Sequence, residues 1–433
     1  MRTVNIGLVG LGTIGKGVYD AVVSNGDLIS RRTGLSLVIK GVCDKDKKAL
    51  ESVGAGEEVL KTACADDLIG NKDIDIIVEL IGGVTAAKDV VLNALRNKKH
   101  VVTANKALLS KCWKEIFTVA SENEVFVNFE ASVGGAIPVI RTLRESFVAD
   151  NINTVYGILN GTTNFILTRM SENGRSFSDA LKVAQEKGIA EKDPELDISG
   201  KDSAHKLAIL SRISFGMDIS PDDIYTEGIA NIGPEDLKNA AKMGYSLKLL
   251  AIAKDTPYGL QLRVHPTLLR SSHLLSDVRG EDNAVYIKGD LIGESLLFGK
   301  GAGRKPTSSA VLGDIVGIGK HIAFVGDENT LPCRMHYAPE DKQINRMEEL
   351  RISYYLRFSV IDNPGVLAGI SSILAENNIS IASVSQEERK KGEKVPVVII
   401  THKAREGSMR EAIGKIDTLE YVSDKTVVVR IEE

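Results

Sequence analysis

The stretch VNIGLVGLGTIG, residues 4–15, pairs a short apolar run with a GxGxxG signature. Val4–Val9 has the composition of a buried parallel strand. Gly10, Gly12 and Gly15 follow at once, and a helical pattern runs from Ile14 to about Ile29. Gly10 permits the tight turn, Gly12 lets the backbone approach a pyrophosphate, and Gly15 lets helix and strand pack closely. The N-terminus of that helix, at Thr13 and Ile14, supplies free N–H donors for an anion. Strand, glycine turn and helix together predict a dinucleotide site on a Rossmann-type doubly wound parallel sheet; the alternative is a glycine-rich turn in another α/β protein.

Working outward, the second strand, Leu35–Cys43, ends at Asp44. An acid there would bond an adenosine ribose and favour NAD. Lys45, Lys47 and Lys48 follow and would suit a 2′-phosphate, so NAD and NADP both stay open. Ile74–Glu79 runs into LIGG, ending at Gly82 and Gly83. His100–Thr103 runs into Ala104-Asn105-Lys106. Ligands of open α/β sheets sit beyond the carboxyl ends of strands, which is where Gly82, Thr103 and Lys106 fall. A lysine at a helix start opposes the helix dipole, which favours a functional Lys106 over an exposed one. Val125–Glu130 reads as a further strand. It leads into EASVGGAIP, residues 130–138, a sharp crossover out of a first domain spanning 1–135. Glu130 and the looping backbone offer oxygen ligands suited to a hard monovalent cation; a plain hinge is the alternative.

Downstream, GIAEKDPELDISGKDSAHK, residues 188–206, gathers Glu191, Asp197, Asp202 and Lys206 in a turn-rich segment entering a helix, Ser203–Arg212. Such a constellation suits a site that holds a small zwitterion and moves one proton. Taken alone, Asp202 and Lys206 are an i, i+4 pair worth a few tenths of a kcal/mol. The helix face Leu207, Ile209, Leu210 and Ile213 is apolar and would hold the segment firmly. Before it, Thr154–Leu159 reads as a strand, Asn160–Asn164 as a polar loop opening a helix, and Phe177–Gly188 as a helix with a glycine cap.

Composition is that of an ordinary soluble protein. The chain has 433 residues, 43% hydrophobic and 26% charged, with a net charge of −4. That length predicts two to three domains, and the charge offers no footprint for nucleic acid. No run is long enough for a membrane span. Cys43, Cys64, Cys112 and Cys333 are scattered, without metal-ligand spacing, which points to a reducing, cytoplasmic setting.

Short alternating segments at Leu260–Val264, Ala284–Lys288 and Glu294–Phe298 predict a mixed sheet in a substrate-binding and dimerisation domain, 136–306. A second glycine-rich loop, 299–306, puts Gly303 within reach of a cofactor. The helix after it, Thr307–Ile322 and on to about 325, returns to the first domain. Residues 333–350 read as a polar linker. From 351 to 433 the pattern is strand Tyr354–Ile361, a helix to Glu376, strands Ile379–Gln386 and Val395–Thr401, helix Met409–Ile416 and strand Lys425–Ile431. That βαββαβ order predicts a ferredoxin-like unit. Pro364 fits its first helical turn, and the backbone donors of Asn363, Gly365 and Val366 would suit an amino-acid carboxylate.

These motifs together resemble the homoserine dehydrogenase family with a C-terminal ACT domain. The resemblance rests on AEKDP…D…G.D…KL from Ala190 to Leu207, NGTTNFIL at 160–167, VELIGG at 78–83, TANK at 103–106, EASVGGAIP at 130–138 and DNPGVL at 362–367. It implies NAD(P)H-dependent reduction of L-aspartate 4-semialdehyde to L-homoserine. It implies Lys206 as acid/base and Lys106 as a second active-site lysine. Glu191 and Asp202, with Asp197 and Gly188 close by, would take the amino-acid end of the substrate. Glu130 would join the backbone oxygens of Val133, Gly135 and Ile137 around Na or K. Threonine is the implied effector, at Asn363, Gly365, Val366 and Leu367, and a homodimer or homotetramer the implied assembly. Cys43 stands where many relatives place an arginine, which weakens the case for NADP. Two rivals are a phosphorylating semialdehyde dehydrogenase, which needs a cysteine nucleophile in a suitable loop, and a non-catalytic amino-acid sensor.

Overall fold

A computed structural model of the chain describes residues 2–54, 56–324, 342–386 and 394–432. The first part alternates strand and helix: β1 (Arg2–Val9), α1 (Thr13–Thr33), β2 (Leu35–Cys43), α2 (Lys47–Ser52), β3 (Leu60–Thr62), α3 (Ala65–Ile69), β4 (Ile76–Glu79), α4 (Thr85–Arg96), β5 (His100–Thr103), α5 (Lys106–Glu122) and β6 (Val127–Asn128). There follow α6 (Val139–Arg141), β7 (Ile152–Ile158), α7 (Gly161–Asn173), α8 (Phe177–Glu186), α9 (Glu195–Ile198), α10 (Lys201–Phe215), β8 (Tyr225–Thr226), α11 (Pro234–Lys242), β9 (Tyr245–Thr256) and β10 (Gly259–Arg270). The remainder is β11 (Asp282–Gly289), β12 (Gly293–Lys300), α12 (Arg304–Phe324), β13 (Arg351–Ile361), α13 (Val366–Glu376), β14 (Ile381–Ser385), β15 (Lys394–Thr401), β16 (Ala404–Arg405), α14 (Glu406–Ile416) and β17 (Val422–Glu432). Two compact units result, one drawn from Met1–Ile152, His205–Pro221 and Asn283–Asp341, the other from Asn153–Ala204, Asp222–Asp282 and Lys342–Glu433.

The first unit is a parallel sheet in the order β3-β2-β1-β4-β5-β6, the doubly wound arrangement for dinucleotides. Its register sets the site. Val9 lies opposite both Cys43 and Glu79, and Glu79 opposite Thr103. The loops that begin at Gly10, Asp44, Leu80 and Ala104 therefore leave the sheet at one level. Helix α12 returns to this unit. A Cβ on Gly17 would meet Ser308 Oγ at 2.4 Å, and one on Gly319 would meet Leu35 Cδ1 at 3.0 Å, so glycines allow α12 to lie close on α1 and β2. Val311, Ile315, Ile318 and Ala323 join the core of Val4, Ile6, Leu8 and Val18. The last residue expected in this helix, 325, lies outside the described residues. The expected strand 125–130 is shorter than read. Only Val127 and Asn128 pair, and Phe129 leaves the extended region (φ −152°, ψ 30°) so that Glu130 opens a 3₁₀ turn.

In the second unit a run of strands β7-β9-β10-β17-β13-β15-β14 forms one sheet, with β8 on β10 and β16 on β13. β9 and β10 are antiparallel over twelve residues each; the sequence pattern predicts only Leu260–Val264 of β10 and none of β9. Within the C-terminal part the order β17-β13-β15-β14, all antiparallel, is that of a ferredoxin-like unit, with α13 and α14 contributing to its core. Pro364 does not enter the helix: Gly365, at φ +94°, is the N-cap and α13 starts at Val366. The expected linker 333–350 lies outside the described residues as far as 341. Beyond that it is anchored, with Gln343 and Asn345 exchanging backbone bonds with Leu260, and Met347 and Leu350 buried in the C-terminal core.

The junction between β10 and β17 is parallel, Thr267 opposite Arg430 and Leu269 opposite Glu432. Charged side chains accompany it. Glu432 is buried and receives Arg263 Nη2 at 2.5 Å, Tyr156 Oη at 2.9 Å and the Lys254 ammonium. Burial pushes the Glu432 pKa up, but Arg263 and Lys254 more than offset it and hold the carboxyl below its usual range. Breaking one member of such a buried set costs about 3–5 kcal/mol, because its partner is left charged and unpaired. The C-terminal unit is thus tied to the rest of its sheet by backbone and by ions.

Candidate active site

The glycine loop is built for a nucleotide. Gly10 has φ +99°, and a Cβ there would stand 2.7 Å from the Leu80 carbonyl. A Cβ on Gly15 would fall 1.9 Å from Gly10 O, so this glycine closes the turn onto the helix. A Cβ on Gly12 would meet nothing within 4 Å. Gly12 and Thr13 are exposed and Ile14 half-buried, and Gly12 caps α1 with no side-chain bond to its amides. The open face above Gly12 and the unfilled N-terminal donors are what a pyrophosphate requires.

Asp44 is more committed than a free ribose ligand. Its Oδ2 accepts the Leu11 amide at 2.7 Å and its Oδ1 the Asp46 amide at 2.9 Å. It therefore pins the glycine loop to the second strand, with one lone pair on each oxygen left for a hydroxyl. Gly82 and Gly83 turn the next loop with φ +72° and +71°, and both face open space. Thr103 is fully buried and gives its hydroxyl to Glu79 Oε2 at 2.6 Å, so its side chain braces the loops rather than facing a ligand. Glu79 also accepts the Ile81 amide at 2.9 Å; burial pushes its pKa up and these donors pull it back. Asn105 donates to Gly83 O at 2.6 Å and caps α5 through the Leu108 amide at 3.0 Å. Sequence reading did not single out Glu79 or Asn105 as loop braces. Gly303, at φ +119° and exposed, is the residue before α12.

Lys106 is the first residue of α5 and is half-buried. Lys206 is half-buried on α10. The two helices are joined by Arg212, whose guanidinium donates to Leu109 O at 2.8 Å and Ser110 O at 2.9 Å and stacks on Trp113 at 5.3 Å. α5 is thereby fastened to α10 one turn beyond Lys106.

The acidic residues divide into an inner pair and an outer member. Asn160, at the N-cap of α7, donates from Nδ2 to Asp197 Oδ1 at 2.7 Å and Asp202 Oδ2 at 2.9 Å. Its Oδ1 takes the Thr163 amide at 2.8 Å. One amide thus gathers two carboxylates while its other end starts a helix. Asp202 is 3% exposed and Asp197 half-buried. Glu191 is exposed, on a loop held by Thr162 Oγ1 to Ile189 O at 3.0 Å. Gly188, at φ +70°, turns the chain into that loop; α8 itself ends at Glu186. Asp202 and Lys206 lie one turn apart on a single helix. Asn160 is the residue missed as a site member. Its signal, an asparagine opening a helix, reads equally as ordinary capping.

Around Glu130 the donor set is all oxygen. Its Oε1 accepts the Ile140 amide and its Oε2 the Arg141 amide, both at 2.8 Å, leaving one lone pair on each. Gly134 and Gly135, at φ +74° and +55°, fold the loop back, and Ile137 O takes the Val139 amide. Glu130, with the carbonyls of Val133, Gly135 and Ile137, fits a hard monovalent ion in chemistry. No group of three or more His, Cys, Asp or Glu side chains suited to a metal occurs among the described residues. In the C-terminal unit Asn363, Gly365 and Leu367 are exposed, Val366 is buried, and the Val366 amide bonds Asn363 O at 3.4 Å.

The cysteine rival needs a reactive thiol in a ligand-facing loop; of the described cysteines Cys64 is exposed at the N-cap of α3 and Cys112 is half-buried within α5 with its thiol raised by burial. Cys43 is buried, and desolvation pushes its thiol up to about 11, while Cys333 lies outside the described residues. Among the described residues no helix is long and apolar enough to cross a membrane.

A family model described as homoserine dehydrogenase matches residues 138–316, one described as homoserine dehydrogenase, NAD binding domain, matches 10–130, and one described as ACT domain matches 354–418. A homoserine dehydrogenase of Pseudomonas aeruginosa is 42% identical over 438 residues, covering 100% of both chains. The crystal structure of a homoserine dehydrogenase from Thiobacillus denitrificans superposes with a TM-score of 0.93 at 41% identity, covering 100% of this chain and 99% of that one. A hyperthermophilic archaeal homoserine dehydrogenase in complex with NADPH matches 73% of this chain and 98% of its own, with a TM-score of 0.62 and 29% identity.

Proposed function

The chain belongs to the homoserine dehydrogenase family, with a nicotinamide-dinucleotide domain and a C-terminal ACT domain, and on that premise we propose that Lys206 moves the proton as it interconverts L-aspartate 4-semialdehyde and L-homoserine. The nicotinamide cofactor, when bound, supplies hydride to the aldehyde carbon. Negative charge then gathers on the aldehyde oxygen, and Lys206 donates the proton that quenches it. In the reverse direction Lys206 takes the hydroxyl proton from homoserine. Lys106, fastened to α10 through Arg212, contributes a second positive charge beside the reacting oxygen. Asp202 and Glu191, with Asp197 and the Gly188 turn, hold the zwitterionic end of the substrate and so orient it.

The observation that supports this reading is the Asn160 clamp. Two carboxylates drawn together by one amide, one of them a turn before a lysine on its own helix, make a binding group for an ammonium next to a proton donor. Gly10, Gly12, Thr13, Ile14, Gly15, Asp44, Gly82 and Gly303 would contact the dinucleotide, Thr103 through its backbone. Cys43 in place of a basic residue leans the preference toward NAD. A monovalent cation at Glu130, Val133, Gly135 and Ile137 would neutralise Glu130 and stiffen the crossover. An amino-acid effector such as threonine at Asn363, Gly365, Val366 and Leu367, and assembly as a dimer or tetramer, complete the reading.

Lys206→Ala tests it. Turnover falls by roughly a hundredfold or more, the range for general acid–base catalysis, while cofactor affinity measured by NADPH and NADH fluorescence stays unchanged. Near-normal turnover would remove Lys206 from proton transfer.

A further inference from the structure

The residues that follow Asp197 are held from outside the acidic cluster. The turn Ile198–Gly200 lies against Gly228 and Ile229. The Ile229 amide bonds Ile198 O at 3.0 Å. A Cβ on Gly228 would fall 2.3 Å from Ile198 O and 2.8 Å from Ser199 Cα, so the two segments touch backbone to backbone. Gly200, at φ +85°, packs against Thr226, Val264 and the Glu227 carbonyl. Asp197 and Asp202 flank this turn, so its position sets theirs.

Glu227 fixes the other side of that contact. Its amide bonds Val264 O at 2.8 Å, and its Oε2 accepts Arg430 Nη1 at 2.7 Å and Tyr225 Oη at 2.9 Å. Arg430 belongs to β17 of the ACT domain and is 4% exposed. Its Nε and Nη2 donate to Glu406 at 2.9 Å and 2.6 Å, and Nη2 also to Tyr225 Oη at 3.2 Å; Glu406 receives Tyr354 Oη at 2.9 Å and Arg410 Nε at 3.0 Å as well. The Arg410 and Arg430 guanidinium groups each lie over the Tyr225 ring, 5.2 Å from its centroid. Arg430 is therefore held rigidly from behind, and among the described residues the carboxylate it meets outside the ACT domain is Glu227.

We propose that Glu227 is a positioning residue for substrate binding: paired to Arg430 of the ACT domain, it seats Gly228–Ile229 against Ile198–Gly200 and so places Asp197 and Asp202. The ACT strand is then part of the scaffold of the substrate site, and a shift of β17 reaches that site through one ion pair. The proposal rests on the reading that Asp197 and Asp202 hold the substrate.

The test uses the full-length protein and separates substrate KM, kcat and NADPH affinity. Glu227→Ala raises KM for homoserine about tenfold, the scale of coupling between paired groups, with kcat and NADPH affinity near those of the parent. Glu227→Gln, whose amide oxygen still accepts the Arg430 N–H, recovers most of the loss. Arg430→Met reproduces the KM of Glu227→Ala, and the double variant is no worse; should Arg430→Met not fold, the alanine and glutamine variants decide the matter. Arg357→Met breaks a different bond of the ACT domain, to Asp236 at 2.6 Å, and lowers Tm without raising KM. An unchanged KM in folded Glu227→Ala overturns the proposal, as does an equal rise in Arg357→Met, which would mean general loosening. Asp202→Asn is the benchmark. If it raises KM while Glu227→Ala does not, the site reading stands and the proposal falls. If Asp202→Asn leaves KM untouched, the site reading falls and takes the proposal with it.

Discussion

Asn160→Asp exchanges an amide nitrogen for an oxygen at constant size and isolates the clamp from the helix cap. Aspartate caps a helix as well as asparagine, so the bond to the Thr163 amide survives. The other end of the side chain now brings a third carboxylate against Asp197 and Asp202, where the amide donated at 2.7 Å and 2.9 Å. At an effective dielectric of about 20 each such contact costs about 6 kcal/mol. Placing a proton on one aspartate at neutral pH costs only about 4 kcal/mol. Protonation wins, and the trio takes up one proton. A carboxylic acid donates one hydrogen bond where the amide donated two, and a charge-assisted bond is worth about 1.5–3 kcal/mol. The expected loss in kcat/KM for homoserine is thus roughly ten- to a hundredfold while the trio keeps its proton. The loss deepens at higher pH as that proton leaves. The assay is homoserine oxidation followed by absorbance of the reduced cofactor across pH, expressed as the ratio to the parent so that shared titrations cancel. A ratio that stays flat with pH, or a variant as active as the parent, would refute the assignment of Asn160 as the clamp.

Two further expectations follow from the first unit. Gly12→Ala weakens cofactor binding without lowering Tm, because nothing of the protein lies within 4 Å of the added Cβ, whereas Gly15→Ala, meeting Gly10 O at 1.9 Å, lowers Tm outright; thermal melts with and without NADPH separate them, and a stable Gly12→Ala that binds normally would move the pyrophosphate elsewhere. His100, half-buried beside Phe126 with His321 nearby, has its pKa lowered to about 4, first by desolvation and then by His321. The folded value lies below the ordinary value of about 6.5, so the unfolded chain binds more protons between them and stability falls as pH drops through that window, by about 1.4 kcal/mol per unit and some 3 kcal/mol in all. In His100→Gln, whose side-chain oxygen still accepts the Phe126 amide, denaturant unfolding shows a shallower acid limb; an unaltered slope would place the acid sensitivity in other groups.

Local chemistry was legible in the chain and long-range pairing was not. Strands Leu35–Cys43 and His100–Thr103 begin and end where apolar run and polar loop meet, and the glycine loop sits where its spacing placed it. β9 escaped, and β10 beyond Leu260–Val264, because these strands are buried on both faces over most of their length, which erases the alternation by which a half-buried strand is read. Asp44 was legible as a strand-end acid, but its bond to the Leu11 amide spans 33 residues and leaves no pattern. The Arg430–Glu227 pair spans 203 residues, and in one sequence each is an ordinary surface-type charge. Asn160 was visible as a residue and hidden as a function, since helix capping already accounts for an asparagine at that position.

The pairing of β10 with β17 has a consequence for how the chain comes to be folded. Arg263 and Glu432, which close that junction, are 169 residues apart. During synthesis β9 and β10 are made early and can pair with each other at once, and β8 covers Arg263 and Val264 on the far edge of β10, but the Thr267–Leu269 stretch of that edge stays open until β17 has been made. An open edge of a long apolar strand is a template for the wrong neighbour, and closure over so long a loop comes late in folding. Aggregation of nascent or refolding chains should therefore begin at β10, and a peptide carrying the β17 sequence should suppress it.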